Sequence, residues 1–234
     1  MLWFLLIGCV PSLGLLESRC EEVGGKMVRE RCVQDSGRGE DDTALPTTTG
    51  PERPDATPGQ YVFVTDGQFD GSLGGLSGGD AKCQLSAERA GMPGTYRAWL
   101  SSSQVDGRQR IEGEGPWRNR IGWTEAVVFG SKEELVQFPA TAIRGTELGE
   151  RVDDFPTFDT YVWTGTLQNG VADGSDCNNW GNNNSDVVGL IGYANVDDGD
   201  WTEANGQYCN GEARLYCFST DVVTWPFPEE PPEE

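Results

Sequence analysis

Residues 171–211 gather the side chains most able to do chemistry in this chain: Asp176, Asn178, Asn179, Asp186, Asp197, Asp198, Asp200, Glu203 and Asn205. They are hard oxygen donors, the type that surrounds Ca²⁺ with roughly six to eight ligands. Asp176, Asn179, Asp197, Asp198, Asp200 and Glu203 are therefore the candidate calcium ligands. Asn and Asp also build turns by hydrogen-bonding their own backbone, and the turn reading is the weightier of the two. Two carboxylates drawn from Asp176, Asp197, Asp198, Asp200 and Glu203, one with a raised pKa, would suit glycoside hydrolysis, though no spacing singles out a pair. Trp180 and Trp201, flanked by polar residues, are expected to be exposed rings for stacking a sugar, with Asn178 and Asn205 as neighbouring ligand-binding amides. Trp99 and Trp163 read as core.

Other chemistry is narrowed by what is missing. The 234 residues include no His, which removes Ser-His-Asp and Cys-His catalysis, His-ligated zinc and a His-based pH switch. No zinc, haem or nucleotide cofactor is expected. With 17 Lys and Arg against 38 Asp and Glu, the net charge of −21 repels phosphate backbones and anionic headgroups. Nucleic acid and heparin-like polyanions are poor partners for such a chain. Its one basic run, Arg108, Arg110, Arg118 and Arg120, is interrupted by Glu112 and Glu114 and reads as a solvated hairpin face.

Seven cysteines, at 9, 20, 32, 83, 177, 209 and 217, form no C-x-x-C pair of the zinc or thiol-exchange kind. If Cys9 belongs to a targeting segment, the remaining six can pair as three disulfides in an oxidising compartment. Met1 to Ile7 is apolar but far short of the roughly 20 residues a membrane span needs. Leu6-Ile7-Gly8-Cys9 resembles the lipobox of bacterial lipoproteins, in which Cys9 would carry the lipid anchor; a plain secretory signal is the alternative.

The chain then divides by composition. Residues 1–9 read as the signal remnant, and 10–32 as a small segment in which Cys20 and Cys32 close a local loop. Residues 33–60, rich in Pro, Thr and acid, cannot bury enough apolar surface to order themselves and read as a flexible spacer. Residues 61–220 carry the folded domain, and 221–234 an acidic, Pro-rich solvated tail. Within the domain, Tyr61 to Thr65, Tyr96 to Leu100, Ala126 to Phe129, Tyr161 to Thr164, Val187 to Gly192 and Ala213 to Phe218 read as strands. Ser77 and Asp80 suggest a capping box, giving a helix from Gly78 to Ala90 that ends at Gly91 and Pro93. Cys83, Ala87 and Ala90 share one face of that helix, and in the last strand Cys217 lies on the same side as Leu215. Lys132 to Leu135 reads as the start of a short helix.

Three ordered motifs carry a family resemblance. They are the run GGLSGGDAKCQLSAERAGMPGTYRAWLSSS from Gly74 to Ser103, Val162-Trp163-Thr164-Gly165 with Cys177-Asn178-Asn179-Trp180, and Ala213-Arg214-Leu215-Tyr216-Cys217. Together they resemble the endostatin-like branch of the C-type-lectin-like fold, in its bacterial secreted members. The resemblance implies an α+β fold of mixed, mostly antiparallel sheets with one or two helices and long disulfide-closed loops. It also implies nested disulfides, Cys83 to Cys217 and Cys177 to Cys209. The sugar-binding triplets Glu-Pro-Asn and Gln-Pro-Asp and a Trp-Asn-Asp are absent. The function expected is a non-enzymatic binding module outside the cell or in its envelope, taking a glycan or an envelope or extracellular protein through the Val171 to Gly211 loops. A carboxylate-based glycoside hydrolase and a structural envelope or matrix protein are the alternatives.

Overall fold

The computed structural model describes residues 57–152 and 158–225, together with the backbone of 25–28 and 31–34. The chain forms two units, Met1–Pro51 and Glu52–Glu234. In the first, strand β1 (Gly25–Val28) pairs antiparallel with β2 (Arg31–Gln34), placing Met27 opposite Cys32. The spacer expected from residue 33 is corrected here, because Val33 and Gln34 are ladder residues of β2. Cys9 and Cys20, and with Cys20 the proposed Cys20–Cys32 bridge, lie outside the described residues.

The second unit is built on two strands that are buried on both faces. In β3 (Gln60–Val64), Tyr61 and Phe63 enter one apolar cluster while Val62 and Val64 enter another. β10 (Arg214–Ser219) repeats the pattern, with Leu215 and Cys217 on the first side and Tyr216 and Phe218 on the second. A sheet covered on both faces has no polar side, which explains why these runs read as continuously apolar. β10 is also the hub of the sheet. It pairs antiparallel with β3 along one edge; along the other it pairs with β7 (Tyr161–Trp163), parallel, and with β4 (Tyr96–Ala98), antiparallel. β5 (Trp117–Ile121) and β6 (Thr124–Phe129) extend the sheet beyond β3, and β8 (Val188–Tyr193) and β9 (Asn205–Tyr208) extend it beyond β7. The architecture is thus α+β with a mixed, mostly antiparallel sheet.

Helix α1 (Gly75–Arg89) covers the first cluster with Cys83 and Ala87 buried. It starts earlier than the sequence suggests. Gly74 and Gly75 open it with φ of 90° and 78°, and no side chain caps it. The expected capping box is absent because Asp80 is engaged elsewhere: it accepts from Ala98 N at 2.9 Å and pairs with Arg97 at 3.0 Å and Arg110 at 2.6 Å. A side chain at Gly79 would lie 2.5 Å from Leu100 Cδ1, so glycine is what lets the chain after β4 press against α1. The Cys83–Cys217 disulfide joins this helix to β10.

Two of the four arginines in the run, Arg110 and Arg120, are withdrawn from solvent. Arg110, at the end of the short helix α2 (Gly107–Arg110), has a side chain only 8% exposed and donates to the carbonyls of Ala98 at 2.6 Å and Leu100 at 3.1 Å. Arg120 is buried in β5, stacked 3.7 Å over the Trp225 ring, with Nη1 on the Trp225 carbonyl at 2.9 Å. Burial pulls its guanidinium down to about 10. The same contacts correct the domain limits. Val223 bridges Gly59, and Val223 and Trp225 are core, so the described residues flanking 61–220 belong to the folded unit.

One buried carboxyl tests this packing. Glu147 accepts from Asp66 N at 2.8 Å, yet burial is the larger effect and pushes its pKa up. Its contribution to stability is therefore full below the ordinary carboxyl value and is lost as pH rises through the folded-state value. Urea titrations across pH 4 to 8 should show Glu147→Gln gaining stability relative to the parent chain as pH rises. A pH-independent difference between the two would contradict the burial.

Candidate functional site

The segment before β8 folds into a single left-handed turn. Cys177, Asn178, Asn179 and Trp180 have φ of 48°, 55°, 56° and 57°, with Trp180 N on Asp176 O at 2.6 Å and Gly181 N on Cys177 O at 3.2 Å. Each non-glycine residue in this region costs about 1–2 kcal/mol, least for Asn. The strain is held from several sides. Asp176 takes Asn179 N at 2.9 Å with one carboxylate oxygen and Ser103 N at 2.7 Å with the other. Trp180 is fully buried and donates from Nε1 to Ser101 O at 2.7 Å. The Cys177–Cys209 disulfide pins the turn to the segment after β9. Gly189 allows this, because a side chain there would meet Cys177 Sγ at 2.8 Å and the Trp163 ring at 2.9 Å.

What the turn presents outward is a pair of carboxamides. Asn178 and Asn179 are exposed, and Asn179 Oδ1 accepts from Ser103 Oγ at 3.1 Å. The remaining acidic candidates lie in other turns, where Asp198 and Glu203 act as backbone acceptors. Asp198 caps the 3-10 turn Gly199–Trp201 by accepting from Asp200 N at 3.0 Å, and Glu203 accepts from Gln168 N at 2.9 Å. Asp197 and Asp200 are exposed, and Asn205 accepts from Gly206 N at 2.9 Å. Among the described residues, no group of three or more His, Cys, Asp or Glu side chains converges where a metal ion could sit.

Trp180 and Trp201 are corrected from exposed platforms to core. Trp180 packs edge-on against Trp163 with centroids 5.8 Å apart. Trp201 is fully buried and lies 5.2 Å from both Trp99 and Phe129. Polar sequence neighbours mislead here, since in a tight turn the neighbours point outward and leave the ring to the interior.

Beside these loops runs an open groove of about 570 Å³, lined by Val136, Gln137, Phe138, Gln168 and Asn169. None of the five is singled out by the sequence. Asn169-Gly170, between Leu167 and Val171, is a recognisable hairpin signal that would have placed two of them at a turn.

Together these features define a disulfide-braced α+β domain. The chain belongs to the family described as "Protein of unknown function (DUF1554)", whose model matches residues 66–197, more than half of its length. The match contains both the left-handed turn and the groove. No curated protein matches the chain.

Proposed function

We propose that this chain is a non-enzymatic binding module of the C-type-lectin-like fold, endostatin-like branch, displayed in the cell envelope or outside the cell. Its ligand is a glycan or an extracellular protein, met by the carboxamides of Asn178 and Asn179. Two disulfides in the described residues are bonds typical of an oxidising compartment, which supports the location. The observation that carries the reading is the left-handed turn. Backbone strain of this kind persists only where the surroundings over-determine it, and it concentrates at ligand-binding sites. Here its one visible product is two exposed amides, each offering a donor and an acceptor, a match to hydroxyls and peptide groups alike.

The test separates strain from recognition. At φ of 55° glycine is at ease, so Asn178→Gly should leave stability unchanged or raise it by up to about 1 kcal/mol. Calorimetry against a glycan panel and an immobilised envelope extract identifies the tightest probe. That probe should bind the Asn178→Gly protein at least tenfold more weakly. Silence of the parent chain against both panels, or unchanged binding by the variant, would count against the turn as the site.

A further inference from the structure

The groove beside the loop of residues 198–203 has a chemistry of its own. Phe138 is 58% exposed and Val136 36%, although Leu135, within the Lys132–Val136 turn, is buried. The opposite wall is tied to the most acidic loop of the domain. Gln168 lies against Gly199, where an added Cβ would fall 2.0 Å from its Nε2, and its backbone N–H is held by the Glu203 carboxylate. Asp198 and Asp200, on the same 3-10 turn, are exposed. Glu133 adds a further exposed carboxylate on the Phe138 side. Two cations stand near: Lys132 next to Glu133, and Arg108, which pairs with Asp106 at 3.7 Å. The rim is thus net negative, on a chain of net charge −21.

We infer that this groove docks an extended, basic segment of a protein partner. An apolar side chain of that segment packs on Val136 and Phe138, and Lys or Arg side chains a residue or two away sit over Asp198 and Asp200. Charge complementarity selects this occupant. A second copy of so acidic a chain is repelled, as is an anionic glycan. This inference stands apart from the Asn178–Asn179 reading.

The full chain is titrated with three blocked hexapeptides, alternating Lys-Leu, Ser-Leu and Glu-Leu, and the amide resonances are followed by NMR. The Lys peptide should bind at least tenfold more tightly than the Ser peptide, and the Glu peptide should not bind. Shifts should fall on Gln137, Phe138, Gln168 and Asn169. Phe138→Ala, at an exposed and hence structurally tolerant position, should weaken the Lys peptide at least tenfold, and Asp200→Asn should weaken it and flatten its salt dependence. Equal affinity for the Lys and Ser peptides would overturn the proposal. So would Lys-peptide binding that ignores Phe138→Ala, or displacement of that peptide by a neutral oligosaccharide. Shifts confined to Asn178 and Asn179 would overturn it too, while leaving the amide-turn reading intact.

Discussion

Replacing Cys83 and Cys217 together by alanine is expected to lower the free energy of unfolding by about 4–5 kcal/mol. The bridge spans 134 residues, and in the chain-entropy model a closed loop of that size restricts the unfolded ensemble by about 5 kcal/mol. The inner Cys177–Cys209 bridge, spanning 32 residues, already shortens the free part of that loop, so the lower end of the range applies when it stays intact. The native state loses as well. Cys217 sits where β10 pairs with Phe63 of β3 on one edge and Ala98 of β4 on the other, and Cys83 holds the buried face of α1 against that point. Urea unfolding of the double variant, followed by far- and near-ultraviolet circular dichroism, reads the change directly. A loss below about 1 kcal/mol would mean that the helix is held to the hub strand without the clamp.

Much of this framework could be read from residue order, because the two innermost strands announce themselves. Tyr61 to Val64 and Leu215 to Phe218 are apolar at every position, and both faces turn out to be covered. The alternation that set Leu215 and Cys217 apart from Tyr216 and Phe218 is the division between the two clusters. Where the reading fails, a side chain's partner comes from far along the chain. β5 was hidden by its arginines, since nothing local says that Arg120 will be roofed by Trp225, 105 residues later. Asp80 looked like a helix cap and is instead the counter-ion of Arg110, 30 residues on. At the site, Asn178 and Asn179 were singled out as oxygen donors, but the left-handed backbone that aims them depends on Ser101 and Ser103 gripping Trp180 and Asp176. Phe138 escaped notice because the 3-10 turn stops at Val136, which takes the ring off the buried side that Leu135 occupies.

Trp201→Ala should cost about 3–5 kcal/mol, the range for emptying a large aromatic site in a packed core. Its ring is within 5.2 Å of Trp99 and Phe129 and 5.6 Å of Tyr216, so one truncation strips contacts from three other aromatic side chains at once. The Nε1 bond to Gln137 O, at 3.3 Å, would also be lost, and with it a tie between this core and the groove wall. Collapse around the cavity is obstructed. Gly192 of β8 already touches the Trp201 backbone so closely that an added Cβ would lie 1.9 Å from its carbonyl oxygen. Thr202 is fixed by Trp99 Nε1 at 2.8 Å and by Thr164 Oγ1 at 2.6 Å. Trp201→Phe, which keeps a ring in the cluster but not the N–H, should cost less than half as much. A surface platform would behave in the opposite way, with stability moving by no more than about 0.5 kcal/mol while ligand affinity fell. Urea unfolding of the two variants therefore decides between the ring as core and the ring as platform without any ligand being known.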